Sequence, residues 1–281
     1  MKILVTGGSG YLGTHVRRFF NADDFSRRSG RDILDTYDLS IVQDYDVVIH
    51  LAAHLNKDPA AAEACFRVNT EGTANVLRNM RHGAVFIYAS TKDVYGVFAE
   101  DYAEVPETCR TDYCGQSALE WSKLMGERYV DFYATEVGLR ACIFRMSTVY
   151  ARPSEGNEPN FVTHYVESVK RGWPIRFPAE GKPVRDILHV DDFSRACKLF
   201  IDSSLARGLY NIGGGRRNAT GLREMVERVG RMIELVPNID ETPQVQPAPV
   251  PFNYVTDLSR IGTELGWRPE INVEEGLRSL L

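Results

Sequence analysis

Apolar residues along this chain fall in short runs separated by polar stretches. Residues 3–5, 46–50, 84–89 and 140–145 are each about the length of a strand. Their near-continuous apolar character predicts strands buried on both faces, as in a parallel sheet. Between them the period lengthens. A helix is expected from Thr14, another ends over residues 69–79, and a long one covers about 115–137. A second strand is expected to end over residues 24–28, closed by Ser29-Gly30, with Asp32-Ile33-Leu34-Asp35 and a short helix after it. Strands alternating with helices predict βαβ units and an α/β architecture. From Ala151 the texture changes: Pro153, Pro159, Pro174, Pro178 and Pro183 punctuate shorter elements, and a second proline-rich stretch covers 237–251. The expected division is a sheet-bearing domain over 1–150 and a smaller lobe over 151–281, partly interleaved with it.

The turn after the first strand carries the first chemistry. Gly8-Ser9-Gly10-Tyr11-Leu12-Gly13 has the spacing G-x-G-x-x-G, and Gly7 adds a wider glycine spacing. Between a strand and a helix, such glycines make a tight turn and let a pyrophosphate approach the backbone. The last of them lets the helix pack on the strand. The free N–H groups at the helix start then face the phosphates. Gly7, Gly10, Tyr11, Leu12 and Gly13 are therefore candidate dinucleotide-binding residues, and the fold class is a Rossmann-type doubly wound parallel sheet with a C-terminal substrate lobe.

Composition narrows the picture by exclusion. A formal net charge of −5 over 281 residues gives no basic footprint for nucleic acid. Five scattered cysteines without a C-x-x-C pair predict reduced thiols, with neither a disulfide framework nor a zinc site. His50 and His54 stand at a strand end, where structural roles are expected and no metal is called for. No leader precedes the first strand and no apolar run is long enough to span a bilayer, so a cytoplasmic protein without a membrane partner is expected.

Several segments together carry a family resemblance: TGGSGYLG, HLAA at 50–53, VNTEGTANVL at 68–77, STKDVYG at 90–96, SKLMGE at 122–127, FRMSTVYARP at 144–153, GKPVRDILHVDD at 181–192 and YNIGGG at 210–215. The chain resembles the extended short-chain dehydrogenases, the NAD(P)-dependent epimerase/dehydratase group that modifies nucleotide sugars. Its compact second-strand segment is most similar to that of the short dTDP-4-dehydrorhamnose reductases. The resemblance implies a homodimer through a four-helix bundle that includes the 115–137 helix, and a nucleotide-diphosphate sugar as substrate. Asp32 and Ile33 match the pair beside the adenine. Leu51, Ala52 and Ala53 match the wall beside the nicotinamide ribose. Thr148, Asn160 and Phe161 fall at substrate positions, and Arg185 matches an arginine aimed at the diphosphate, which suits its bidentate chemistry. A strand ending in Ser26-Arg27-Arg28 favours the extra phosphate of NADP over the ribose hydroxyls of NAD, the second choice.

The catalytic pattern departs from the family at one position. Members carry Tyr-x-x-x-Lys, in which the lysine lowers the tyrosine pKa and holds the ribose. Here the lysine is Lys123, but the tyrosine position is Leu119, which exchanges no proton. Three readings stay open. Thr91, Lys92 and Asp93 can carry proton transfer with Lys123 in an atypical epimerase or dehydratase working through a 4-keto sugar. Tyr113 can reach in from the preceding loop. Or the chain is a degenerate cofactor- or sugar-binding protein.

Overall fold

The structure, a computed structural model, describes residues 1–245 and 250–281; part of the second proline-rich stretch lies outside them. Six strands form one parallel sheet in the order β2-β1-β3-β4-β5-β8. They are β1 (Ile3–Thr6), β2 (Asp23–Phe25), β3 (Val47–His50), β4 (Val85–Thr91), β5 (Arg140–Met146) and β8 (Arg207–Ile212). Every residue of β1 and β3 is buried, as their unbroken apolar runs require of strands covered on both faces. The chain turns from one side of β1 to the other between β2 and β3. The crevice this reversal opens lies at the carboxyl ends of β1 and β3, the position at which doubly wound sheets take ligands.

One face of the sheet packs on α1 (Gly13–Phe20), α6 (Val190–Asp202) and α8 (Ser259–Leu265), through Val16, Phe193, Ala196, Phe200 and Ile261. The other packs on α3 (Thr73–Arg78) and α4 (Ala118–Glu136), through Val76, Leu77, Val130 and Ala134. α2 (Ala62–Phe66) leads to α3 through a π-helical turn, Arg67–Gly72. A second, three-stranded sheet joins β6 (Thr148–Tyr150), β7 (Val184–His189) and β9 (Ala219–Gly221), with α5 (Phe161–Arg171), α7 (Leu222–Met232) and α9 (Val273–Arg278) around its own apolar cluster. β8 lies past residue 150 yet sits in the large sheet.

Two boundaries differ from expectation for local reasons. The second strand ends at Phe25 and does not continue to Arg28. Ser26 and Ser29 cap each other reciprocally, which turns Arg27–Ser29 into a single 3-10 turn. The long helix starts at Ala118 and not at 115, because Ser117 and Glu120 form a capping box around its first turn.

Candidate active site

The glycine-rich turn is built by close approach. Gly7 has a φ of +69°, and a Cβ there would stand 2.8 Å from the backbone nitrogen of Ala52. A Cβ on Gly13 would overlap the carbonyl oxygen of Gly7. The Gly10 N–H donates to Gly7 O at 2.9 Å, and α1 starts immediately after. The backbone is thus bare where a pyrophosphate would lie, and the turn fits a dinucleotide. Leu51 packs into the core beside it and Leu12 flanks it from the helix start. Ala52 N donates to Thr6 Oγ1 at 3.3 Å, and Ala53 follows at the mouth of the crevice.

Other candidates around the crevice have structural work of their own. Tyr11 reaches across to the small lobe. Its hydroxyl donates to Ala151 O at 2.7 Å, accepts from Ala151 N at 2.8 Å and pairs with Thr163 Oγ1 at 2.8 Å. Ile33 is buried in the core against Gly72. Asp32 accepts from Leu34 N at 2.9 Å within its own turn. Arg28 donates to Ser9 O at 3.0 Å, to Asn157 Oδ1 at 2.9 Å and to Gly156 O, so its guanidinium bridges the glycine turn and the 154–157 loop. Arg27 is exposed at the same rim.

A cavity of about 360 Å³ opens between the large sheet and the lobe. Thr91, Lys92 and Asp93 line it from the end of β4, and Met146, Ser147 and Thr148 from the end of β5 and the start of β6. Phe161, Tyr165 and Arg185 close it from the lobe. Thr91 caps the turn that follows it, its hydroxyl accepting from Asp93 N at 3.1 Å. Lys92 ion-pairs with Asp93 Oδ1 and lies 4.9 Å from the centre of the Tyr254 ring. Burial opposes ionisation of Asp93, but Lys92 and Lys57 outweigh it and hold the carboxyl well below the ordinary carboxylate range.

Lys57 escaped the sequence reading. It comes from the polar loop after β3, in no recognisable motif, and its Nζ sits 2.7 Å from Asp93 Oδ2 and 2.6 Å from Glu120 Oε1. Burial alone would lower its pKa; the two carboxylates raise it overall. The other oxygen of Glu120 accepts from Ser117 N at 2.7 Å. One buried carboxylate therefore both starts α4 and anchors Lys57, directly beside Leu119.

Leu119 itself is buried at the start of α4. Lys123, one turn on, is buried behind β4 and donates to Ala89 O at 2.7 Å. Burial pushes its pKa down to about 8, with Glu127 opposing. Tyr113 does not reach the site: it is exposed and packs against Trp121 at 6.0 Å. Asn160 spends its amide on Val149 O at 2.8 Å and on capping α5 through Thr163 N at 3.2 Å, so only its neighbour Phe161 faces the cavity. Arg185 donates to Val184 O, Phe252 O and Pro251 O at 2.7–3.0 Å, which ties the 251–252 strap to β7. Asp186 beside it takes its hydrogen bonds from Ser147 at 2.5 Å and from Gly215 N and Thr256 N, while burial lowers the pKa of the guanidinium and the Asp93 and Asp186 charges oppose that through space. His50 lies between Thr6 Oγ1 at 2.8 Å and Thr73 Oγ1 at 3.0 Å, its pKa pushed down to about 3 by burial and by Lys123.

Comparison with known proteins places this geometry. The model of the NAD dependent epimerase/dehydratase family matches residues 3–213. The dTDP-glucose 4,6-dehydratase of Haemophilus influenzae is 26% identical across 99% of this chain and 96% of its own length. The CDP-paratose 2-epimerase of Salmonella typhi is 27% identical across 100% and 98%. Among solved structures, MoeE5 in complex with UDP-glucuronic acid and NAD superposes with a TM-score of 0.85 at 22% identity, over 99% of this chain and 97% of that one. RMD from Pseudomonas aeruginosa complexed with NADPH does so with 0.82 at 22%, over 100% and 98%. These two likenesses show the fold, and the family match covers the glycine turn, the cavity loop and Lys123: the chain belongs to the NAD dependent epimerase/dehydratase family.

Proposed function

We propose that this chain is a nicotinamide-dependent enzyme that modifies the sugar of a nucleoside diphosphate sugar by way of a 4-keto sugar, in the epimerase/dehydratase manner, without a catalytic tyrosine. The observation that carries this reading is the cavity. It joins the strand-end group Thr91-Lys92-Asp93 to a lobe wall holding Thr148, Phe161 and Arg185. The glycine turn takes the dinucleotide, whose nicotinamide supplies hydride transfer. Thr91 orients the sugar oxygen through the hydroxyl proton left free once Asp93 N is bound. Lys92 and Asp93 stand where a proton must move, and Lys123 holds the ribose side of the site. Arg185 provides a buried cation for phosphate oxygens in an otherwise acidic protein. NADP is the preferred cofactor, NAD the second: Ser26 and the exposed Arg27 follow β2, while Asp24 has Oδ2 engaged by Arg17 at 3.6 Å and Ser26 at 3.0 Å and Oδ1 without a hydrogen-bond partner, which keeps NAD as the alternative. The working form is taken as a cytoplasmic homodimer through α4, whose Met125, Tyr129 and Phe132 are exposed. No helix among the described residues is long and apolar enough to cross a membrane.

A second reading has its own observation, the buried leucine at 119: a binding protein that has lost turnover. The test is incubation of the wild type and of Leu119→Tyr with a panel of nucleotide sugars and their keto derivatives, with oxidised and reduced cofactor, followed by mass spectrometry and chromatography. Conversion by the wild type is expected. Binding without conversion, together with turnover gained in Leu119→Tyr, would establish the binding protein instead.

A further inference from the structure

A second cavity, of about 390 Å³, opens at the seam where α1, the start of α6 and the chain after α9 meet. It shares no lining residue with the cavity at the end of β4, and its volume is that of a small-molecule site. Spacings of three and four residues put His15, Arg18 and Phe19 on one face of α1, and all three line it. Arg152 enters from the segment after β6, and Asp191 and Arg195 from the first two turns of α6. The charges there are unevenly matched. Arg195 is held by Asp192 and, at 3.4 Å, by Glu270. Arg18 and Arg152 are exposed, and neither guanidinium has an ion pair or hydrogen bond among the described residues. In a chain of net charge −5, the fold thus brings two unmatched cations to one concavity, where a bound anion would lower their mutual repulsion. The imidazoles are committed elsewhere. His15 donates from Nε2 to Arg152 O at 2.7 Å, since a carbonyl only accepts. His189 accepts from Asp191 N at 3.2 Å through Nδ1, so its proton sits on Nε2 and the ring is neutral; burial lowers its pKa against the pull of Asp191 and Asp192. The Asp191 carboxylate, 3.6 Å from that neutral ring, has no cationic partner among the described residues.

We propose that this seam cavity binds a small hydroxylated phosphate monoester, with a sugar phosphate as its simplest form. The phosphate oxygens take charge-assisted hydrogen bonds from Arg18 and Arg152, whose planar guanidinium groups suit them. A bare phosphate dianion would be repelled by Asp191, whereas an ester offers that carboxylate a hydroxyl to accept from. The half-exposed ring of Phe19 covers the carbon skeleton. The site does not depend on the dinucleotide or on the nucleotide-sugar cavity. Arg18 belongs to the helix that follows the glycine turn, and Arg152 to the segment fastened to that helix by Tyr11 and His15. A ligand held by both arginines therefore bridges the large sheet's outer layer and the lobe.

Calorimetry on the full chain with glucose 1-phosphate should read a Kd on the order of 0.1–1 mM, with inorganic phosphate weaker and glucose not binding at about 10 mM. Hydrogen exchange followed by mass spectrometry locates the ligand: protection should rise over residues 15–19 and 189–195 and stay unchanged over 91–93 and 146–148. Arg18→Gln and Arg152→Gln, at exposed positions, should each weaken binding about tenfold with an unchanged melting temperature in phosphate-free buffer. Asp191→Asn should tighten inorganic phosphate and narrow the advantage of glucose 1-phosphate over it. Binding that survives both arginine variants, or protection confined to the cavity at the end of β4, overturns the seam site and leaves the nucleotide-sugar reading untouched. Absence of binding by glucose 1-phosphate overturns it as well. Equal affinity for inorganic phosphate overturns the monoester as the ligand, and an advantage unchanged in Asp191→Asn overturns the hydroxyl contact.

Discussion

Lys123 shows how one buried charge can report on its surroundings. Its folded pKa, about 8, lies below the ordinary 10.5 because burial strips water from the ammonium. Between these values the unfolded chain binds more protons than the folded one, so stability rises with pH across that window. Below it the cost of keeping the ammonium buried is constant, about 3 kcal/mol. Lys123→Met removes the cost. Wild type should therefore be less stable than the variant at pH 7 and recover relative to it from about pH 8 to about 10.5, as read by denaturant midpoints. A difference that does not change with pH would mean the amine is solvated.

At the scale of elements, Tyr11 couples the two halves of the molecule. It stands in the glycine turn, yet its hydroxyl bonds both backbone atoms of Ala151 and the side chain of Thr163 in α5. Tyr11→Phe leaves a buried N–H and a hydroxyl short of partners, which should cost about 1–2 kcal/mol. Amide exchange at Ala151 should quicken while the strands of the large sheet keep their protection. Slower global unfolding or unchanged exchange at Ala151 would count against the coupling. The turn proposed to bind the dinucleotide is thus fastened to the lobe proposed to bind the sugar.

At the scale of the whole molecule, α4 leaves apolar side chains uncovered. Met125, Tyr129 and Phe132 of α4 are exposed, and Phe66 of α2 adds to them. α2 packs beside α4, so two helices from each of two copies can pair as a four-helix bundle. Phe132→Glu should shift the mass measured by light scattering from dimer to monomer without melting the fold; a wild-type monomer at micromolar concentration would refute the bundle. In a bundle of two identical copies each carries the change, so one substitution puts two charges into the apolar seam.

The parallel sheet, its glycine turn and the family were legible in the residues, because these depend on local spacing: short apolar runs, glycines at fixed offsets, a lysine in SKLMGE. The end of β2 was misjudged because a serine pair three positions apart competes with the strand through its own hydrogen bonds. Lys57 was invisible because nothing near it in the chain marks it; it becomes part of the site only when the loop after β3 folds against Asp93, 36 positions away, and against the capping carboxylate of α4. Leu119 could be read as a missing base from the sequence, but not what stands around the gap. The sequence by itself determined the first five strands of the large sheet and the glycine turn after β1, since backbone geometry follows residue type over a few positions, but not β8 or the small second sheet, whose strands pair across long stretches of chain. Which charges meet in the cavity was decided by tertiary packing, since Coulomb interactions and burial depend on distance in space and not along the chain.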